Sequence, residues 1–162
     1  MNTSVVLNKL YNLIVKVQKK ESIIMWQDFE KRIRNIACYR WNCNAVAETI
    51  AGVKCDCILK PQQDSWIAVE ITEECSLEKI RIDMAKLFSV RNALFQENIF
   101  CRCYIITKST PTDSMRSTGA AQNIYVKSAE EFQNEYFEYN SYIYVRNKKQ
   151  FGSLINIETG EP

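Results

Sequence analysis

Gly52-Val53-Lys54-Cys55-Asp56-Cys57-Ile58-Leu59, a polar turn from Lys60 to Ser65, and then Trp66-Ile67-Ala68-Val69-Glu70-Ile71-Thr72 together decide the reading of this chain. Both apolar runs have the composition of strands, and each carries one carboxylate. An acid inside an apolar strand is costly to bury unless it is paired or holds a cation. If the two strands form an antiparallel hairpin with Asp56 opposite Glu70, Lys54 falls opposite Thr72, and cross-strand Cβ atoms lie about 4.5–5.5 Å apart. Two acids brought together in this way point to a divalent cation. The same pair would also suit a solvated position on an exposed sheet face.

Outward from this hairpin, the chain reads as alternating helices and strands. Val6, Leu10, Leu13, Ile14 and Val17 recur at helical spacing from Ser4 to Lys19. A second helix is predicted over Met25 to Arg40, with Trp26, Phe29, Ile33, Ile36 and Ala37 as its apolar stripe. An opening strand is predicted through Ala45 to Ile50. After the acidic hairpin, a long helix begins near Ser76, with Ile80, Met84, Leu87, Phe88, Leu94 and Phe95 as its inward face. A strand over Ile99 to Thr107 leads into a polar loop containing Pro111 and Gly119. A short strand, Asn123 to Val126, then precedes a helix opened by Ser128 and Glu131, a capping box. Tyr142 to Val145 and Phe151 to Ile157 read as a closing hairpin turning at Asn147 to Gln150.

This order implies an α/β sandwich with a central mixed β-sheet. The expected division is an N-terminal helix over 1–24, a core over 25–140, and a C-terminal hairpin or linker over 141–162 that leads to further domains of a longer protein. The 162 residues are 46% apolar and 25% charged, with a net charge of +2, which suits a globular chain with one main core. No run approaches the roughly 18 apolar residues that span a bilayer, and no secretory signal opens the chain. The expected setting is cytoplasmic, without a membrane partner.

What is absent narrows the chemistry. The chain has no histidine, which removes Ser-His-Asp, Cys-His and His-ligated zinc enzymes. Its four glycines form no phosphate-cradling loop. Carboxylate, lysine, hydroxyl and thiol remain. The seven cysteines include two Cys-x-Cys pairs, Cys55/Cys57 and Cys101/Cys103, in predicted strands. Residues two apart in a strand share a face, so Cys55 and Cys57 are expected to point together, away from Asp56. They read as small core residues in a reducing compartment, with a Cys55/Cys57/Cys101/Cys103 zinc site as the sharper alternative.

Asp56 followed by Glu70-Ile71-Thr72 resembles the paired strands of the PD-(D/E)XK restriction-endonuclease-like fold, and Phe29-Glu30 resembles the Phe-Glu helix opening of Mrr-like restriction endonucleases. Tyr104-Ile105-Ile106-Thr107, the Ser/Thr-rich loop, Asn123-Ile124-Tyr125-Val126 and the helix from Ser128-Ala129-Glu130-Glu131-Phe132 look like the closing half of that family. The resemblance spans about Trp26 to Phe137. It implies a restriction-endonuclease-like α/β/α sandwich and a metal-dependent endodeoxyribonuclease. Asp56 and Glu70 would hold Mg²⁺ (or Mn²⁺), and Glu30 would complete the site from the helix.

Glu30 lies four residues after Trp26, three before Ile33 and seven before Ala37, so it leans toward the packed stripe; its other reading is a surface helix charge. Thr72 stands where the motif has lysine. Lys54, on the face of Asp56, is the first substitute, with Lys79 and Lys86 on the following helix behind it.

The implied substrate is DNA before RNA, with a second copy of the chain as a further partner and a role as the N-terminal effector of a defence or restriction protein. Thr72 also leaves open a catalytically silent module of the same fold that binds nucleic acid or protein, or a purely structural domain. The scattered basic residues Arg32, Arg34, Arg40, Lys108 and Arg116, with Trp41, read as ordinary surface before a phosphate-binding stripe.

Overall fold

The computed structural model describes residues 27–135, and the expected N-terminal helix and C-terminal hairpin lie outside them. Helix α1 (27–41) precedes three antiparallel strands: β1 (Ala45–Ile50), β2 (Val53–Gln62) and β3 (Ser65–Thr72). Helix α2 (Leu77–Gln96) carries the chain across to β4 (Phe100–Thr107), and α3 (Asp113–Ala120) leads to β5 (Ile124–Ser128) and α4 (129–135). Strands β3, β4 and β5 run parallel, so the open five-stranded sheet, ordered β1-β2-β3-β4-β5, is mixed. The protein is therefore α/β. None of its described helices is long and apolar enough to cross a membrane.

Two apolar clusters explain the layering. On one face Ile80, Met84, Leu87, Val90 and Leu94 of α2 and Met115 of α3 pack against Cys55, Ile58, Ala68, Cys103 and Ile105. On the other, Ile33 and Ala37 of α1 and Phe132 of α4 cover Cys57, Leu59, Ile67, Val69, Ile71 and Ile106. The central strand β3 is enclosed on both sides from Ile67 to Thr72, which is why its sequence reads as one apolar run. Glu70 interrupts that run at a fully enclosed position.

Local chemistry fixes the ends. β1 and β2 are joined by Ala51 and Gly52, both at positive φ (50° and 78°), the two-residue turn whose twist matches the strands. The Ser76 hydroxyl accepts from the Lys79 amide at 3.2 Å and starts α2. The inward face of α2 differs from the sequence expectation: Phe88 and Phe95 are 45% and 71% exposed, and Val90 and Asp83 take the interior.

The expected polar loop around Pro111 and Gly119 contains α3, capped by the Thr112 hydroxyl on the Met115 amide at 3.3 Å. A Cβ at Gly119 would stand 2.5 Å from Val126 Cγ2 and 2.7 Å from the Ile124 carbonyl oxygen. Because the second of these is backbone, Gly119→Ala is expected to cost about 1–3 kcal/mol, read by denaturant unfolding.

The expected capping box opens α4. The Ser128 amide donates to Glu131 Oε2 at 2.7 Å, and the Glu131 amide donates to Ser128 Oγ at 3.1 Å. Burial works against the Glu131 charge, but the Ser128 amide, the Arg116 guanidinium and the Ser128 hydroxyl together hold its carboxyl below the ordinary 4.5. Ser128→Ala is expected to cost about 0.5–2 kcal/mol at pH 7. The carboxylate's share of that stability is present above pH 4.5 and is lost as the pH falls through the lowered folded-state value, so the variant's deficit shrinks in acid melts.

Candidate functional site

The β2–β3 ladder pairs Leu59 with Ile67, Ile58 with Ala68 and Cys57 with Val69. The ladder ends there, and Asp56 and Glu70 are the next residues on their strands. The β1–β2 ladder breaks at the same place: Val46 pairs with Ile58 but Glu48 with Cys55, so β2 carries one extra residue there. Such a bulge bends the strand and re-aims the side chains on it.

The bulge corrects the expectation for the thiols. Cys55 packs in the α2-side cluster and Cys57 in the α1-side cluster, so the two do not point together, and the four-cysteine zinc arrangement is not formed. All seven cysteines are free.

At the bulge Asp56 is anchored from two sides. Its Oδ2 accepts from the Ile71 backbone amide at 2.9 Å, and Arg34 Nε of α1 donates to its carbonyl oxygen at 3.0 Å. Arg34 is also ion-paired with Glu30, one turn before it on α1. Glu30 is therefore linked to Asp56 through a guanidinium. Among the described residues no three Asp, Glu, Cys or His side chains group closely enough to hold a metal ion, so the expected Asp56–Glu70–Glu30 set does not converge as a three-acid site.

Glu70 projects from β3 toward α2, where Lys86 Nζ donates to its Oε2 at 2.6 Å. The Glu70 side chain is 1% exposed and its Oε1 is buried without a hydrogen-bond partner. Burial pushes its carboxyl above the ordinary 4.5; Lys86 pulls it back, while Asp56 and Asp83 push it further up. For Lys86, burial opposes the charge, but the bond to Glu70 and the charges of Glu70, Asp56 and Asp83 outweigh it, so the ammonium is held on. Cys55, on the same face, has its thiol pushed well up by burial first and by Glu70 second.

Lys86, and not Lys54, is the lysine that reaches Glu70. Lys54 is exposed and paired with Thr49, and its neighbour Cys55 faces α2, so alternation turns Lys54 to the opposite face from Glu70. Thr72 is buried, and its hydroxyl donates to the Glu74 carbonyl at 3.1 Å, closing the chain after β3.

Sequence reasoning misses Asp83. It lies three residues after Ile80 and four before Leu87, on the buried stripe of α2, and that spacing was the available signal. Its side chain is 1% exposed; Oδ1 takes Lys79 Nζ at 2.5 Å and stands 3.9 Å from Lys86 Nζ, and Oδ2 is buried without a partner. Burial raises its carboxyl above the ordinary 3.8 against the pull of Lys79 and Lys86. Three acids (Asp56, Glu70, Asp83) thus lie near two ammonium groups, Lys79 and Lys86, and burial raises the carboxyls of Glu70 and Asp83 against the pull of those charges.

The scattered arginines are committed elsewhere: Arg40 pairs with Glu135 at 3.1 Å and lies over Trp41, and Arg116 pairs with Glu131 at 2.9 Å. A concavity of about 400 Å³ beside α1, lined by Ile36 and Tyr39 among others, includes none of the cluster. Comparison with protein-family models, with curated proteins and with solved structures returned no match.

Proposed function

We propose that this chain is a divalent-metal-dependent phosphodiesterase that cuts DNA, built on a restriction-endonuclease-like core. The observation that carries the reading is Glu70: a carboxylate in the middle of the sheet, held by Lys86 on one oxygen and left without a partner on the other, beside Asp56. Burying a charge this incompletely is unfavourable unless the free oxygen takes up a proton or meets a cation in the working state. The donor set fits Mg²⁺, which takes hard oxygens, needs only one or two carboxylates and keeps several of its waters.

Asp56 and Glu70 would hold the ion. Bound there, it would supply positive charge for the attacking and leaving oxygens of a phosphodiester. Asp56 is positioned for this by the bulge and by the Ile71 amide, which fixes one oxygen and leaves the other. Lys86 takes over from the missing lysine at Thr72. Its ammonium has three donors, and one is spent on Glu70. Its side chain is 36% exposed, so the remaining donors can orient a water or a phosphoryl oxygen arriving from solvent. A second copy of the chain would serve double-strand cutting, and further domains or a defence setting would supply the trigger.

A specific observation favours the silent-module reading as well: Asp56 Oδ2 and Glu70 Oε2 each already have a protein partner, as acids with purely structural duties would. Supercoiled plasmid incubated with the protein in Mg²⁺, Mn²⁺ or EDTA separates the two. The enzyme nicks or linearises plasmid only with metal. Retention of DNA without cutting in any metal overturns the enzyme reading, and metal-dependent cutting by Glu70→Gln at the wild-type rate assigns the activity elsewhere.

A further inference from the structure

We propose that the α1 side of the sheet, at the start of β4 and β5, is a stacking platform for the unpaired bases of a nucleic-acid strand. Phe100 and Tyr125 supply the ring surfaces, and Arg102 supplies a phosphate contact between them. The platform lies on the opposite face of the sheet from Glu70 and Lys86, so it stands whether or not that cluster cuts DNA.

Alternation along β4 sets the positions. Cys101 and Cys103 are buried in the α2-side cluster, so Phe100, Arg102 and Tyr104 turn to the α1 side. Tyr104 is closed in by Trp41 and Phe132, whereas Phe100 and Arg102, nearer the start of the strand, are exposed. On the neighbouring β5, Tyr125 pairs with Tyr104 and stacks on it, with ring centroids 5.0 Å apart and its own ring half exposed. The Phe100 amide donates to the Asp64 carbonyl oxygen at 2.8 Å, which holds the first residue of β4 in place. At about 3.3 Å per residue, the Phe100 and Tyr104 positions lie about 13 Å apart, with Arg102 midway.

The chemistry of this face suits a strand of nucleic acid. Its exposed large apolar side chains are flat rings, and the exposed aliphatic ones, Val46 and Ile82, lie on β1 and on α2. Arg102 has no ion pair among the described residues. The cations beside it are committed: Lys127, 6.0 Å from the Tyr125 ring, and Arg40 are both paired with Glu135. An unpaired guanidinium is a planar donor matched to a phosphate. The order ring, guanidinium, ring is the order in which a strand presents base, phosphate, base. Aromatic side chains accept any base by stacking, and a duplex keeps its base faces covered, so the surface selects single strands.

The test is binding of fluorescein-labelled oligo-dT, oligo-U and a duplex of the same length to the full chain in EDTA, read by anisotropy over a salt series. Wild type is expected to bind the single strands more tightly than the duplex. Phe100→Ala and Tyr125→Leu are each expected to weaken single-strand binding about tenfold, the scale of one stacked base, with the salt slope unchanged. Tyr125→Phe keeps the ring and should bind like wild type. Arg102→Gln is expected to reduce the magnitude of the salt slope by about 0.7, the share of one phosphate contact.

Equal affinity for duplex and single strand, or ring variants that bind like wild type, overturns the platform. So does the absence of binding to any strand, and so does self-association that Phe100→Ala abolishes, which would assign the face to a second copy. Tighter binding of oligo-dT or of oligo-U supports the platform and names its strand as DNA or RNA. Because EDTA removes divalent ions, failure here leaves the metal-dependent reading standing, and plasmid that stays uncut in Mg²⁺ leaves the platform standing.

Discussion

Lys86→Met is expected to destabilise the protein by about 2–4 kcal/mol at pH 8, the largest stability loss of any single charge removed from the cluster. Removing one member of a buried pair leaves the other uncompensated, and the usual loss is about 3–5 kcal/mol. The lower range here reflects the partial exposure of the Lys86 side chain, which lets water share its charge.

The loss depends on pH with a definite sign. Burial already holds the Glu70 carboxyl above the ordinary 4.5, and losing Lys86 moves it further up. Below pH 4.5 the group is protonated in folded and unfolded chains alike, so the variant is nearly as stable as wild type. The penalty grows as the pH rises through the folded-state value, because the folded variant must then hold either a proton or an unpaired charge. Urea midpoints for wild type and variant between pH 4 and 8 should therefore diverge upward. In the double variant Glu70→Gln/Lys86→Met, no ion is left alone, and much of the loss should return. A constant offset at every pH would mean that Lys86 contributes through its methylenes alone.

The strength and the limits of sequence reading come from the same feature of this chain. β1 was legible to the residue, and Ser76 and the Ser128/Glu131 box marked helix starts, because caps and turns are local chemistry. The placement of Glu70 in an enclosed strand was also legible, because β3 is apolar on both faces.

The bulge at Asp56 was not. Cys55, Cys57, Ile58 and Leu59 are all apolar, so an inserted residue leaves no break in the pattern, and the alternation that put Cys55 and Cys57 together had nothing to correct it. α3 escaped because its buried contacts are only Met115 and Gly119, too few to form a stripe amid Ser and Thr. Asp83 was missed and Lys86 ranked behind Lys54 for a different reason: a charged residue on or beside the apolar stripe of α2 reads as a break in it. Which border residue turns inward is decided by what waits on the sheet, here the carboxylate of Glu70.

Glu70→Gln is expected to reduce the proposed metal-dependent DNA cleavage by about 10²–10³-fold or more, the scale on which a single preorganised electrostatic partner contributes to a charged transition state. Gln keeps the size and one carbonyl oxygen, so the loss reports the charge. Asp56→Asn should match it, because an amide oxygen still accepts from the Ile71 amide while the ionic ligand is gone.

Lys54→Ala separates the two lysines. Exposed and on the opposite face, it should cut at close to the wild-type rate, whereas Lys86→Met, assayed where unfolding curves show it folded, should fall by a factor approaching that of Glu70→Gln. The contrast matters more than any single rate. If Lys54→Ala were crippled and Lys86→Met were not, the ammonium of α2 would be a structural counter-ion to Glu70, and catalysis would have to draw its positive charge from the β2 strand instead.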